Sequence, residues 1–152
     1  MSILIYLIQL WGSASDYLID ILQVLQNRAA RIVTKLDRYT PTDVLLRQCG
    51  WLSVKQLVEY HSLLLVFKIR SEGKPEYLQQ RLCQAFNYDT RLARTNGINQ
   101  NDINKSALNM NSFVPRVTKG WNSLPNALRQ VQKVTIFKTK LKSWIREHIP
   151  VR

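Results

Sequence analysis

Apolar residues recur every three or four positions in the first part of the chain, immediately after Ser15 and Asp16. The recurring set consists of Leu18, Leu22, Leu25, Ala29, Ile32 and Leu36. This spacing predicts an amphipathic helix of about five turns, and such a stripe is the face that normally meets a core. Ser15 can cap this helix, and Asp16 is favourable near the positive end of its dipole. Arg28, Arg31 and Lys35 fall together on a face beside the stripe.

Two further helices have boundaries that the sequence marks clearly. Thr40 and Pro41 predict the start of a short helix, with a capping hydroxyl followed by proline at the first helical position, and Gly50 predicts its end. Ser53 can cap the next helix, which we expect to end at Gly73. The stripe of that second helix consists of Val54, Leu57, Val58, His61, Leu64, Leu65 and Ile69.

The helical pattern continues briefly after Pro75, through Tyr77, Leu78 and Leu82, and then fails. Between Asn96 and Asn111 six of sixteen residues are Asn, a residue that favours turns over regular hydrogen bonding. This composition predicts a long surface loop, with disorder as the alternative. The patterns divide one predicted domain, residues 1–152, into an apolar lead-in (1–14), a helical part (15–82), an Asn-rich loop (83–112) and a C-terminal helical part (113–149).

The C-terminal part ends in a second clearly amphipathic helix. Thr135 can cap it, and Pro150 stops it. Its apolar face consists of Phe137, Leu141, Trp144, Ile145 and His148. The sequence contains no alternating strand pattern of useful length. The predicted fold class is therefore all-α, a small irregular bundle of about five to seven helices.

The charge of the chain is strongly positive and unevenly distributed. There are 22 Lys and Arg against 10 Asp and Glu, which gives a net charge of +12. Residues 1–27 contain two acids and no Lys or Arg, whereas Lys138, Lys142 and Arg146 repeat at i, i+4 and i+8 in the last helix. Like charges at this spacing repel by about 0.2–0.5 kcal/mol per pair. The pattern indicates an anionic partner, most commonly nucleic acid; the alternative is a solvated face with screened charges.

The sequence contains no recognisable catalytic or metal-binding motif. The sequence has no Gly-rich phosphate loop, no HExxH or GxSxG motif and no paired acids for two-metal catalysis. Cys49 and Cys83 lie apart with no CxxC, and His61 and His148 are isolated. We therefore expect no catalytic centre, no metal or other cofactor, and no small-molecule substrate.

The apolar run from Ile3 to Leu10 resembles neither a signal peptide nor a membrane span. It lacks a preceding basic region and is far shorter than the roughly 20 residues that cross a bilayer. We expect it to be a core segment, and the chain to be intracellular, cytoplasmic or nuclear, with no membrane partner and no secretion.

Four segments, in order, resemble the region downstream of the palm in reverse transcriptases of non-LTR retrotransposons, the LINE-type elements of the jockey-like kind. The first, IQLWGSASDYLIDILQVLQNRAARIV, is similar to the family's WGs turn and the helix ending in lQNrAaRii. TPTDVLLRQCGWLSVKQLVEYHSLLLVFKI and GKPEYL match the next two stretches. SFVPRVTKGWNSLPNALRQVQKVTIFKTKLKSWI is similar to the closing motif around WN.LP.

The resemblance implies a non-catalytic, thumb-like helical fragment of a reverse transcriptase. The family holds its metal-binding aspartates upstream, in the fingers and palm, and none of them matches a position here. The implied partners are template RNA or an RNA–DNA duplex and the remainder of the polymerase. The alternative is a truncated structural remnant without independent activity, which packs against the missing palm or self-associates through residues 3–10. The residues predicted to contact phosphates are Arg28, Arg31, Lys35, Lys138, Lys142 and Arg146.

Overall fold

The computed structural model describes residue 5, residues 7–84 and residues 113–151. Within these ranges the chain forms eight helical segments and no strand, so the predicted all-α fold is confirmed there. Two of the segments are single turns of four residues, and the six longer ones fall within the expected number. The segments are α1 (Ile8–Trp11), α2 (Asp16–Thr34), α3 (Thr42–Gln48), α4 (Val54–Glu72), α5 (Glu76–Gln84), α6 (Phe113–Ser123), α7 (Asn126–Arg129) and α8 (Val134–His148).

Several predicted boundaries are confirmed, and the clearest are at the two ends of α4. The Ser53 hydroxyl accepts a hydrogen bond from the Gln56 N–H at 3.3 Å, and the Gln56 side chain accepts one from the Ser53 N–H at 3.0 Å. This reciprocal capping box satisfies two backbone donors at the start of the helix. Gly73 ends α4 with φ 69°, a left-handed conformation that glycine adopts without a Cβ clash. The first two residues of the predicted 83–112 loop belong to α5, and the rest of that loop lies outside the described residues.

Three predicted caps are wrong in detail. Ser15 precedes α2, but its side chain makes no capping hydrogen bond. Pro41 is itself the cap residue of α3, so that helix begins one residue later than expected. At α8 the cap is Lys133 and Thr135 lies inside the first turn. Val134, the first residue of the helix, packs against the core.

Helix α4 lies at the centre of the fold, with α1, α2, α5, α6 and α8 packed on it. The Phe67 ring of α4 stacks on Phe137 of α8 with centroids 4.2 Å apart, and Trp121 of α6 lies 6.0 Å from Phe137. At the other end of α4, the Gln56 side chain donates to the Ile149 carbonyl at 2.7 Å. These two contacts fix α8 antiparallel to α4. Ile8 of the predicted apolar lead-in is fully buried in the same core, although Leu7 and Leu10 are exposed.

A second, smaller cluster forms where the C-terminal half of α2 meets α3. Its buried residues are Ala30, Leu45 and Leu46. Trp51 and Val151 pack against it from the side. Because Val151 follows α8 by three residues, this cluster joins the C-terminal end of the chain to α2 and α3.

The predicted helix is present as α2, but most of its apolar stripe does not meet the core. Leu18, Leu25 and Ile32 are 50%, 53% and 79% exposed, whereas the buried residues of the helix are Ile19, Gln26 and Ala30. The reason is a set of hydrogen bonds that amide side chains make on the inward face.

The inward face of α2 is held by amide side chains that pair with the segment before α4. Gln26 donates to the Leu52 carbonyl at 2.8 Å, and the Gln23 side chain accepts from the Val54 N–H at 2.8 Å. Val54 is the first residue of α4, so its N–H has no partner within that helix. Buried polar groups without partners cost about 1–3 kcal/mol each. The amides therefore turn inward and leave the apolar stripe outside.

Candidate nucleic-acid interface

Helix α8 separates its apolar and basic residues onto different faces. Phe137, Leu141 and Ile145 are each 0% exposed in the core around α4. Lys138, Lys142 and Arg146 are exposed, as the sequence predicts. With a rise of about 1.5 Å per residue the three basic residues are spread over roughly 12 Å of helix. Packing of the apolar face thus fixes the direction in which three cations point.

Arg146 also makes a contact that the sequence did not predict. Its Nη2 donates to the Gly50 carbonyl at 3.0 Å, across 96 residues. Gly50 lies in the turn after α3 with φ 67°, and its N–H donates to the Arg47 carbonyl at 3.0 Å. Arg47 is exposed and lies in the last turn of α3. The structure therefore places the end of the α8 basic face beside the turn that follows Arg47, an exposed basic residue that the sequence prediction missed.

Lys138 lies near a histidine of the central helix. His61 of α4 is half-buried and packs edge-on against Tyr60, with ring centroids 5.2 Å apart. Burial lowers the pKa of His61 below its ordinary 6.5, and the charge of Lys138 lowers it further. The basic face of α8 thus has a titratable neighbour that responds to the charge of Lys138.

The predicted basic residues of α2 occupy different environments. Arg28 and Lys35 are exposed, but Lys35 follows the helix as its C-cap residue, with φ 55°. Arg31 is half-buried, and its Nε is buried without a hydrogen-bond partner among the described residues. Arg31 directly follows Ala30 of the second cluster, which Val151 also contacts. The C-terminal end of α2 and the chain segment that follows α8 therefore meet at this cluster.

The residues that carry the family resemblance make contacts between helices. Arg116 of α6 donates through Nη1 to the Gly12 carbonyl and through Nη2 to the Ser62 hydroxyl at 3.5 Å. A Cβ at Gly12 would lie 2.6 Å from a methyl group of Val58, so the close approach of this turn to α4 requires glycine. Trp121, from the closing motif, is 1% exposed in the main core. These motif residues connect α1, α4 and α6.

A half-buried carboxylate completes the contact between α4 and α6. Burial raises the pKa of Glu59, and the charge of Arg116 opposes that rise. Burial likewise lowers the pKa of Arg116, and Glu59 opposes the change. A Cβ at Gly120 would lie 2.0 Å from a carboxylate oxygen of Glu59. Gly120 therefore leaves the room that Glu59 occupies between the two helices.

The described residues contain no group of three or more His, Cys, Asp or Glu residues placed to hold a metal ion. None of the described helices has the length and apolar character needed to cross a membrane.

Comparison of the chain with protein-family models, curated proteins and solved structures gives no match.

Proposed function

We propose that this protein is a non-catalytic nucleic-acid-binding segment that contacts template RNA or an RNA–DNA duplex through the phosphate backbone. The observation that carries the proposal is the α8 face, on which Lys138, Lys142 and Arg146 stay exposed while the opposite face is locked into the core. Rigid presentation of several cations on one face favours binding of a polyanion without base recognition. An intracellular location, in the cytoplasm or nucleus, belongs to the same proposal.

The family resemblance supplies the biological setting of the proposal. A fragment of a non-LTR reverse transcriptase from beyond the palm would lie beside the primer–template and would leave catalysis to the upstream aspartates. Arg28, Arg31 and Lys35 form a second set for phosphate contact, and Arg47 extends the α8 set. The remainder of the polymerase is the proposed protein partner.

A salt titration of binding tests the proposal. The affinity of the full chain for a generic RNA–DNA duplex is measured by fluorescence anisotropy at several salt concentrations. With four to six phosphates neutralised, log K falls steeply with log salt, by about 0.9 for each phosphate on duplex DNA. Replacing Lys138, Lys142 and Arg146 by Gln is expected to reduce the slope by about 3.

The matched control removes the same charge elsewhere. Lys68, Lys74 and Lys119 are exposed on other parts of the molecule, so their replacement by Gln changes the net charge equally. A slope reduced only by the α8 variant supports the proposed face. Equal effects of both variants would mean that binding depends on the net charge of the chain and not on the α8 face. An affinity that does not change with salt would contradict the proposal.

The second candidate function is a structural segment that packs against a polymerase palm or self-associates. The observation that favours it is the exposure of Leu7 and Leu10 at α1. Removing residues 3–10 would also remove Ile8 from the core, so Leu7→Ser together with Leu10→Ser is the cleaner test. This candidate predicts that the native chain self-associates and that the double variant does not; a well-behaved native monomer contradicts it.

A further inference from the structure

The outward face of α2 is apolar over most of its length. Its exposed large side chains are Tyr17, Leu18, Ile21, Val24, Leu25, Ile32 and Val33. At 100° per residue, most of this set lies opposite the buried residues Ile19, Gln26 and Ala30. A helix that is apolar on its outward face and packed through amides on its inward face needs a second covering element to remove that surface from water.

The spacing of this face matches a helix-pairing seam. Leu18, Ile21, Leu25, Arg28 and Ile32 follow one another at intervals of three and four residues. This alternation keeps one narrow line of side chains facing a partner helix. The helix has 19 residues, so the seam is about 28 Å long.

Charge along α2 determines what kind of partner fits. Asp16 and Asp20 lie in the first turns, whereas Arg28, Arg31 and Lys35 lie in the last turns and at the C-cap. Asp20 and Arg31 also lie on the same side of the seam, about 20° apart in projection. A copy of α2 placed parallel would bring like charges together. An antiparallel copy brings the acidic end of each helix beside the basic end of the other.

We propose that α2 pairs antiparallel with α2 of a second copy of this chain, about a twofold axis near Leu25. This register places Leu18 opposite Ile32 of the second copy and Asp20 beside Arg31 of the second copy. The proposal goes beyond nucleic-acid binding and does not depend on it. In the pair Arg28 lies in the seam and Arg31 lies beside Asp20 of the second copy, so both are withdrawn from the second phosphate set. Phosphate contact by the dimer then rests on Lys138, Lys142 and Arg146.

Sedimentation equilibrium of the full chain without nucleic acid measures the pairing. The expected species has twice the 17.8 kDa mass of the chain and dissociates on dilution. Leu18→Gln with Leu25→Gln is expected to give a monomer with an unchanged helical circular-dichroism spectrum, because both side chains are exposed within one chain. A native chain that remains monomeric at high concentration overturns the proposal.

A charge exchange tests the antiparallel direction. Asp20→Arg alone and Arg31→Asp alone each place like charges together at two symmetric sites, which should weaken the dimer on the order of tenfold. The variant with both changes restores opposite pairs and should restore the native dissociation constant. Failure of the double variant to recover, while its fold is intact, contradicts this register.

Disulfide cross-linking provides a measurement that does not depend on stability. With Cys49 and Cys83 replaced by Ala, Leu25→Cys lies at the axis and should form a disulfide-linked dimer on mild oxidation. Tyr17→Cys is the matched control, since it is exposed on the same face but about 24 Å from its equivalent in the antiparallel pair. Cross-linking at Tyr17 as efficient as at Leu25 would indicate parallel or unspecific association and overturn the proposal.

Discussion

Helices α2 and α8 each combine an apolar stripe with basic residues, but they present opposite faces to the core. In α8 the apolar stripe is buried and the cations are outside. In α2 the buried polar residue is Gln26, at 2% exposure, and most of the apolar stripe is outside. The difference lies in the polar residues that each helix carries on its second face.

Amides and cations differ in what burial costs them. The polar residues facing inward on α2 are Gln23, Gln26 and Asn27, and each forms a hydrogen bond outside its own helix. A neutral amide with its hydrogen bonds made can be buried at little cost, whereas an unpaired ammonium cannot. The basic face of α8 therefore has to remain in solvent. A face of Gln and Asn can compete with leucine for the interior when backbone groups there need partners.

The largest effect is expected when one aromatic residue of α8 is compared with one leucine of α2. Phe137→Ala should reduce the free energy of unfolding by about 3–5 kcal/mol, because the ring is fully buried and stacked on Phe67. Leu25→Ala should change it by no more than about 0.5 kcal/mol in the monomer, because the side chain is half exposed. Urea unfolding at low protein concentration, followed by circular dichroism, measures both.

The outcome for Leu25 decides whether the contrast holds. If Leu25→Ala lowers the free energy of unfolding of the dilute monomer by more than about 2 kcal/mol, the Leu25 side chain is buried within its own chain. If Leu25→Ala lowers the free energy of unfolding only at high protein concentration, the side chain is buried by a second copy of the chain.

Replacing the buried amide of α2 should have an intermediate effect. Gln26→Leu keeps the volume of the side chain but leaves the Leu52 carbonyl without its donor. We expect the free energy of unfolding to fall by about 1–3 kcal/mol. The control is Gln132→Leu at an exposed position, which should be close to neutral. An equal or greater stability of Gln26→Leu would show that the amide does not determine which face of α2 is buried.

Local features of the fold could be predicted from the sequence, whereas the orientation of α2 could not. The capping box of Ser53 and Gln56 spans three residues, and the left-handed turn at Gly73 is set by that residue alone. The bond from Gln26 to Leu52 spans 26 residues, and hydrophobic periodicity carries no information about such a partner. A helix with apolar residues on more than one face needs long-range information to orient it.

The candidate interface divides in the same way. Exposure of Lys138 and Lys142 follows from the helical period of α8 and was predicted. The bond from Arg146 to Gly50 depends on how α8 packs beside the α3–α4 turn, so neither it nor the neighbouring Arg47 could be found by spacing. Whether the face binds nucleic acid is a proposal that rests on charge and resemblance.

The smallest expected effect uses His61 to report on the charge of the α8 face. Because burial and Lys138 lower the pKa of His61 in the folded chain, the unfolded chain binds the proton more readily below about pH 6.5. Stability is therefore lost as pH falls through that value. Lys138→Gln should raise the pKa of His61 toward its ordinary value, although burial keeps it below, and should reduce this loss. An NMR titration of the His61 ring, with Lys142→Gln as the control, measures the change.

An unchanged His61 titration in the Lys138 variant would contradict the claim that the charge of Lys138 lowers the pKa of His61. A shifted titration makes His61 a probe of phosphate contact as well. A phosphate bound at Lys138 screens the ammonium charge from the imidazole, so it acts in the same direction as Lys138→Gln. Addition of duplex should then raise the pKa of His61 in the native chain and have a smaller effect in the variant. Such a result would locate binding on α8. A variant with its substitutions on α2 should then show the same rise in the pKa of His61 as the native chain.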